Sequence, residues 1–168
     1  MQKLSFLILL LLCLLSQSCT VSFINAGIDY SVLKSFSIEQ FDVKAANAPP
    51  ESGQNFSEKL KDKVLTNTRL AFSNENGDIQ FTGYVSAYQV KSLAPQGDQT
   101  VAFQQLNITV NVQYTDQKSE TDNNWQQSFS RFANFSSDQD LSTVEEALIE
   151  EIYDQILNDV FNKAFSGW

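Results

Sequence analysis

Two pairs of adjacent carboxylates, Glu145-Glu146 and Glu150-Glu151, are the first residues whose type and spacing suggest chemistry. A metal or hydrolase centre would need such groups to converge inward and to be oriented by further partners. Four-residue spacing instead places Glu146, Glu150 and Asp154 in a row on one helix face, without lysines four residues on to pair them. That row reads as a solvated acidic side. Asp116, Glu120 and Asp122 flank a turn, but their spacing departs from the EF-hand loop, and turn chemistry accounts for them. The chain has no histidine. This removes the commonest general base, the Ser–His and Cys–His pairs and most zinc sites. GxGxxG, P-loop, CxxC and GxSxG motifs are absent from the sequence, and each has a mechanical reason to exist where its chemistry does. The residues predict no catalytic group, no metal ligands and no cofactor.

Aromatics are the one unusual stock, with 13 Phe, 5 Tyr and 2 Trp. Phe129, Phe132 and Phe135 crowd one segment around Arg131. Most aromatics must be core, and a minority on an open sheet face would suit a partner. Exposed Trp125 and Tyr88 would form a platform for a glycan. Lys91 and Arg131 are isolated positive groups in a chain with 11 Lys+Arg against 20 Asp+Glu and a net charge of -9. Each reads either as plain surface charge or as a contact for an anionic lipid. The acidic balance repels phosphate backbones, so nucleic acid is not an expected partner.

The first residues point to export. Lys3 gives a short positive start, and Leu4 to Leu15 is an almost unbroken apolar run. It is shorter than the about 20 residues a membrane-spanning helix needs. Small residues then precede Cys19, which looks like the lipobox of bacterial lipoproteins. In that reading residues 1–18 are a lipoprotein signal peptide, and Cys19 becomes the acylated first residue of a single mature domain, 19–168. Several acyl chains would anchor it firmly, and Thr20 in place of an Asp favours the outer membrane by analogy with lipoprotein sorting. The alternative is an ordinary signal peptide cleaved after Ser18. Cys13 leaves with the signal in either case, so the mature chain has no internal disulfide.

The elements that must position these residues form one α+β unit of 168 residues less the leader, long enough for a real core. Val21 to Ile24 is a first strand or a tether. Leu33 to Val43 alternates as a strand whose phase slips once, near Gln40, and Ala45 to Gly53, with Pro49 and Pro50, is a loop. Asn55, with Glu58 as a capping box, opens a helix with Phe56, Leu60, Val64 and Thr68 on one face, ending near Ala71. Its Lys59, Lys61 and Lys63 read as a solvated side. Asn74 to Gly77 is a turn. Ile79 to Val90 follows as a strand with Ile79, Phe81, Val85 and Ala87 on one side and Tyr84, Tyr88 and Val90 on the other. In Thr100 to Thr115, Leu106, Ile108, Val110, Val112 and Tyr114 alternate with Asn107, Thr109, Asn111 and Gln113, the pattern of a half-buried antiparallel strand. Trp125 to Phe135 is a third long strand. A last helix, capped by Ser142 and Glu145, carries the apolar stripe Leu141, Val144, Leu148, Ile152, Ile156 and Val160. The expected fold is two helices on one face of a mostly antiparallel four-stranded sheet, in the order β-α-β-β-β-α.

With these segments laid out, the chain resembles the LptE family of lipopolysaccharide-assembly lipoproteins, in its branch outside the enteric bacteria. The resemblance is carried by Cys19 followed by Ser22-Phe23, by the helix 55–70 with its Glu58-Lys59-Leu60-Lys61-Asp62-Lys63 run, and by residues 76–84 and 106–112. It continues through residues 127–132, 144–152 and 161–165. It implies two helices against a four-stranded sheet, no enzymatic activity, and a place as a plug inside a large outer-membrane β-barrel, LptD. That barrel delivers lipopolysaccharide to the cell surface. Enteric members are thought to contact lipopolysaccharide through basic residues at one sheet end. This acidic chain offers only Lys91 and Arg131 for that role. The polar row Asn107, Thr109, Asn111 and Gln113 suits the hydrated lumen of a barrel.

Two other classes remain open on the residues alone. A free-standing lipoprotein binding a glycan or other ligand requires a cleft or the Trp125–Tyr88 platform. An anchored enzyme requires convergent buried carboxylates.

Overall fold

The computed structural model describes residues 28–93, 102–118 and 123–166. Cys19 and the 21–24 stretch, like Glu120 and Asp122, lie outside the described residues. The elements in order are β1 (Ser35–Ile38), β2 (Asp42–Val43), α1 (Ser52–Asn67), β3 (Ala71–Phe72), β4 (Ile79–Leu93), β5 (Phe103–Asp116), β6 (Trp125–Ser136) and α2 (Leu141–Phe165). The sheet runs β3-β1-β4-β5-β6, with β2 also beside β4. β4, β5 and β6 are antiparallel, whereas β1 pairs parallel with both β3 and β4, and β2 parallel with β4.

The expected α+β class with two helices holds, but the four-stranded, mostly antiparallel sheet is corrected to a six-stranded mixed one. Two local events cause the difference. The segment expected as one strand with a phase slip near Gln40 is broken into β1 and β2 because Phe41 turns inward. Its N–H donates to Ser57 Oγ at 2.9 Å, and its ring packs 5.0 Å from that of Phe56. Gly83 of β4 makes room for it, since a Cβ there would lie 2.6 Å from the Phe41 ring. The second event is at the end of α1, which stops at Asn67 rather than near Ala71. Thr68 turns extended and bonds its hydroxyl back to the Val64 carbonyl at 2.8 Å. That local bond competes with a further helical turn, and the released chain pairs with β1 as β3.

Neither expected capping box forms. α1 begins three residues before Asn55, at Ser52, behind the Pro49-Pro50 corner, where Ser52 N–H donates to the Pro49 carbonyl. α2 begins at Leu141, and the Thr143 hydroxyl closes on the Asp140 carbonyl at 2.7 Å. Glu145, the expected cap, instead accepts a hydrogen bond from Tyr88 of β4.

The apolar stripes do form the core. Phe56, Leu60 and Val64 of α1, and Leu148, Ile152, Ile156 and Val160 of α2, are buried against Phe81, Val85, Leu106, Ile108, Val110 and Val112 of the sheet. Both helices lie on one sheet face, α1 toward β2, β3 and β4, and α2 over β5 and β6. They meet through the Phe56 and Tyr153 rings, 5.2 Å apart, and through Lys59 and Glu150 at 2.9 Å. β4 carries a bulge between Val85 and Ala87, which shifts its phase by one residue. Tyr88, expected opposite Val85, therefore joins Val85 on the core side. No helix among the described residues is long and apolar enough to cross a membrane.

Candidate interaction face

The face of the sheet away from the helices follows from the register. Residues directly opposite one another in a ladder share a face. Gln113 stands opposite Thr82 and Gln126, Asn111 opposite Tyr84 and Ser128, Thr109 opposite Ala87 and Ser130, and Asn107 opposite Gln89 and Phe132. The four residues Asn107, Thr109, Asn111 and Gln113 therefore form one row across the middle of an open polar wall. The wall is knit by side chains. Asn111 Nδ2 donates to Ser128 Oγ at 3.0 Å, and Gln126 Nε2 donates to Asn111 Oδ1 at 2.8 Å. Thr109 Oγ1 donates to Ser130 Oγ at 3.1 Å, and Gln105 Nε2 donates to Asn134 Oδ1 at 3.1 Å. Amide and hydroxyl groups satisfy one another without charge. Along β4, β5 and β6 this face carries one ionisable cation or carboxylate, Lys91. In a chain of net charge -9 these three strands keep their outer face nearly free of charge. The nearest charged groups lie at its β1–β2 flank, where Asp42 stands opposite Tyr84, Lys44 Nζ lies 3.7 Å over the Tyr84 ring and Glu39 accepts from Gln80.

The two expected cations are not brought together. Lys91, opposite Gln105, is exposed on the outer face near the end of β4. Arg131, opposite Ile108, faces the helix side, where its guanidinium meets Asp159 of α2 at 2.7 Å. The expected glycan platform is also absent. Tyr88 is 5% exposed, bonded to Glu145, and held well above the usual phenol range by burial and by that carboxylate. Trp125 stacks on Tyr114 at 5.4 Å, with Lys163 Nζ 5.4 Å from its ring. Both aromatics lie on the helix side, at different levels of the sheet.

Three of the four paired carboxylates, Glu145, Glu146 and Glu150, line one open cleft between α1 and α2 together with Glu58, Lys59 and Asp62. Glu145 takes the Tyr88 hydroxyl and Glu150 takes Lys59. The acidic row of α2 thus finds its cation on α1 rather than along its own helix. Lys63 likewise reaches Asn158 at 2.6 Å, so Lys59 and Lys63 bridge the helices, whereas Lys61 lies on the other side of α1, 4.8 Å over the Phe72 ring. Among the described residues no group of His, Cys, Asp and Glu is arranged to hold a metal ion. The contribution of β6 to the outer wall, through Gln126, Ser128 and Ser130, was missed in the sequence, because Gln127 and Arg131 on the helix side and Phe132 on the outer side blur its alternation.

The family model described as LptE, lipopolysaccharide-assembly, matches residues 33–164 of the 168-residue chain. No curated protein sequence matches. Among solved structures, a minor lipoprotein from Acinetobacter baumannii is 16% identical over 79% of this chain and 94% of its own, with a TM-score of 0.50. An uncharacterized lipoprotein B from Nitrosomonas europaea is 14% identical over 80% of this chain and 83% of its own, at 0.53. A hypothetical protein from Chlamydia trachomatis is 9% identical over 78% of this chain and 97% of its own, at 0.52. At such identities the likeness concerns the fold alone. The family match, which spans β1 to the last turn of α2, carries the assignment: the chain belongs to the LptE family of lipopolysaccharide-assembly lipoproteins of the cell envelope.

Proposed function

We propose that this protein is a non-catalytic outer-membrane lipoprotein, anchored by acylated Cys19, that plugs and helps assemble an LptD-like β-barrel for lipopolysaccharide transport. The observation that carries the reading is the amide and hydroxyl wall of β4, β5 and β6, on which Lys91 is the one formal charge along these three strands. A barrel lumen is polar and hydrated. A wall whose polar groups already bond one another loses little on meeting it, and apart from Lys91 it lacks the unpaired charges that make burial costly. Of the two cations considered for lipopolysaccharide, Lys91 stands on this wall and Arg131 does not, so a direct lipid contact rests on Lys91. The test is a mild-detergent purification of the tagged chain from its own membranes, with mass identification of its partners. A large outer-membrane barrel at one-to-one supports the reading. A well-behaved solitary monomer would sink it.

A further inference from the structure

β6 ends the sheet, and its free edge can be read residue by residue. Ser137 N–H donates to the Ala102 carbonyl at 3.0 Å. The β5–β6 register, with Phe103 opposite Ser136, makes Ala102 and Ser137 an opposed, hydrogen-bonded pair. Bonded and non-bonded pairs alternate in an antiparallel ladder. Trp125, Gln127, Phe129, Arg131, Ala133 and Phe135 therefore bond to β5. Gln126, Ser128, Ser130, Phe132 and Asn134 turn their N–H and C=O groups out of the sheet. Among the described residues no backbone group takes them.

Natural edges are guarded by proline, lysine, bulges or brevity. β6 has 12 residues and no proline or lysine, and its pairing with β5 runs without a register shift. Its single charge, Arg131, is folded onto Asp159. Beside this edge runs a groove of about 390 Å³ between β6 and α2, walled by Gln127, Phe129 and Arg131 on the strand and by Asp159, Asn162 and Lys163 on the helix. A bare strand edge flanked by a helix is the seat in which an extended peptide adds to a sheet.

We propose that the β6 edge takes an extended segment of another protein as a further strand, whose alternate side chains enter the β6–α2 groove. The charge of the groove states what those side chains are. Two cations, Arg131 and Lys163, stand against one carboxylate, Asp159, within a chain of net charge -9. Acidic or neutral polar side chains fit there, and small polar ones continue the Ser and Asn row on the outer face. A second copy of this chain fits poorly, because it would bring the same two cations and the same overall negative charge. This inference concerns the sheet's edge rather than its outer face and does not depend on the lumen reading above.

The test places a photo-crosslinking residue at Ser128, Ser130 or Phe132 of the full chain in intact cells, with Asp62 of α1 as the control position. The cross-linked peptides are then sequenced. The expected result is one contiguous segment of one protein, its attachment point stepping by two residues as the probe steps by two. In the Phe132 probe, Ser130→Pro removes an outward donor without touching the β5 ladder, and capture falls about tenfold, the order of one lost hydrogen bond. Ser130→Ala keeps the donor and leaves capture unchanged. Lys163→Glu, which leaves the strand intact, reverses the groove's charge and also lowers capture. Attachments scattered over unrelated segments, capture of a second copy of this chain, or no capture above the Asp62 control would each overturn the proposal. So would undiminished capture in both Ser130→Pro and Lys163→Glu.

Discussion

The hydroxyl of Tyr153, midway along α2, donates to the main-chain carbonyl of Ser52 in the first turn of α1 at 3.0 Å. The same ring meets Phe56 edge-on, so one side chain fixes both the spacing and the axial register of the two helices. Tyr153→Phe keeps the ring and loses the bond, at a cost of about 1 kcal/mol. Tyr153→Ala also opens a cavity, at about 3–5 kcal/mol. Urea unfolding midpoints distinguish the two, and equal losses would mean that the hydroxyl, not the ring, holds the helices together.

Burial raises three phenols, Tyr88, Tyr114 and Tyr153, above their ordinary range. For Tyr153 the value is pushed up to about 12 by burial, with the Ser52 bond pulling weakly the other way. The unfolded chain releases these protons near pH 10, before the folded chain does. Stability is therefore full below pH 10 and lost as pH rises through the folded values, by about 2–3 kcal/mol for Tyr153 alone. Absorbance at a phenolate wavelength should show these three tyrosines ionising together with unfolding rather than ahead of it.

At the other end of the pH scale, Asp78 fastens β1. Its Oδ2 accepts the N–H groups of Lys34 and Ser35 at 2.9 and 3.0 Å. The Lys34 N–H is the leading cause of its lowered pKa, partly opposed by burial. A carboxyl held below its ordinary value stabilises above that value and ceases to as pH falls through the depressed one. Asp78→Asn should therefore lower the urea midpoint at neutral pH and match the parent chain in strong acid. A difference that persists undiminished at low pH would assign the effect to shape rather than charge.

Gly83 is the position at which β4 admits Phe41. A Cβ there would stand 2.1 Å from the Asn111 carbonyl oxygen as well as against the ring. Gly83→Ala must displace backbone, and a loss of about 2–3 kcal/mol is expected from such overpacking. Truncating the ring in Phe41→Leu relieves only part of the clash, so the double variant should recover little.

The long elements were legible in the sequence because each buries one face and wets the other. β5 shows this most plainly, since Leu106 to Tyr114 and Asn107 to Gln113 alternate without exception and fall on opposite faces as expected. β2 and β3 have two residues each, too few for any period to register, and they exist only because β1 and β4 offer edges to them. The bulge after Val85 carries no composition signal, so the inward turn of Tyr88 could not be read. Arg131 was ambiguous for a different reason. Phe129, Phe132 and Phe135 are spaced by three, which fits neither face of a strand, and only the register shows Phe129 and Phe135 buried with Phe132 50% exposed. The polar row was therefore found, whereas the face on which Arg131 lies was not.

That placement separates the two cations experimentally. Arg131 and Asp159 are 45% and 31% exposed, so their bond is worth about 0–1 kcal/mol, and Arg131→Ala should trim stability by no more than that. Lys91 is exposed and forms no ion pair among the described residues, and Lys91→Glu should leave the unfolding midpoint unchanged within about 0.5 kcal/mol. If the outer wall meets an anionic lipid headgroup, Lys91→Glu weakens binding of purified lipopolysaccharide and flattens its salt dependence, because one attractive charge has become repulsive. Arg131→Ala, on the other face and already neutralised by Asp159, leaves the binding curve where it was. Equal weakening by both substitutions would place the lipid across the β6 edge instead, and no change from either would mean that neither cation meets the headgroup.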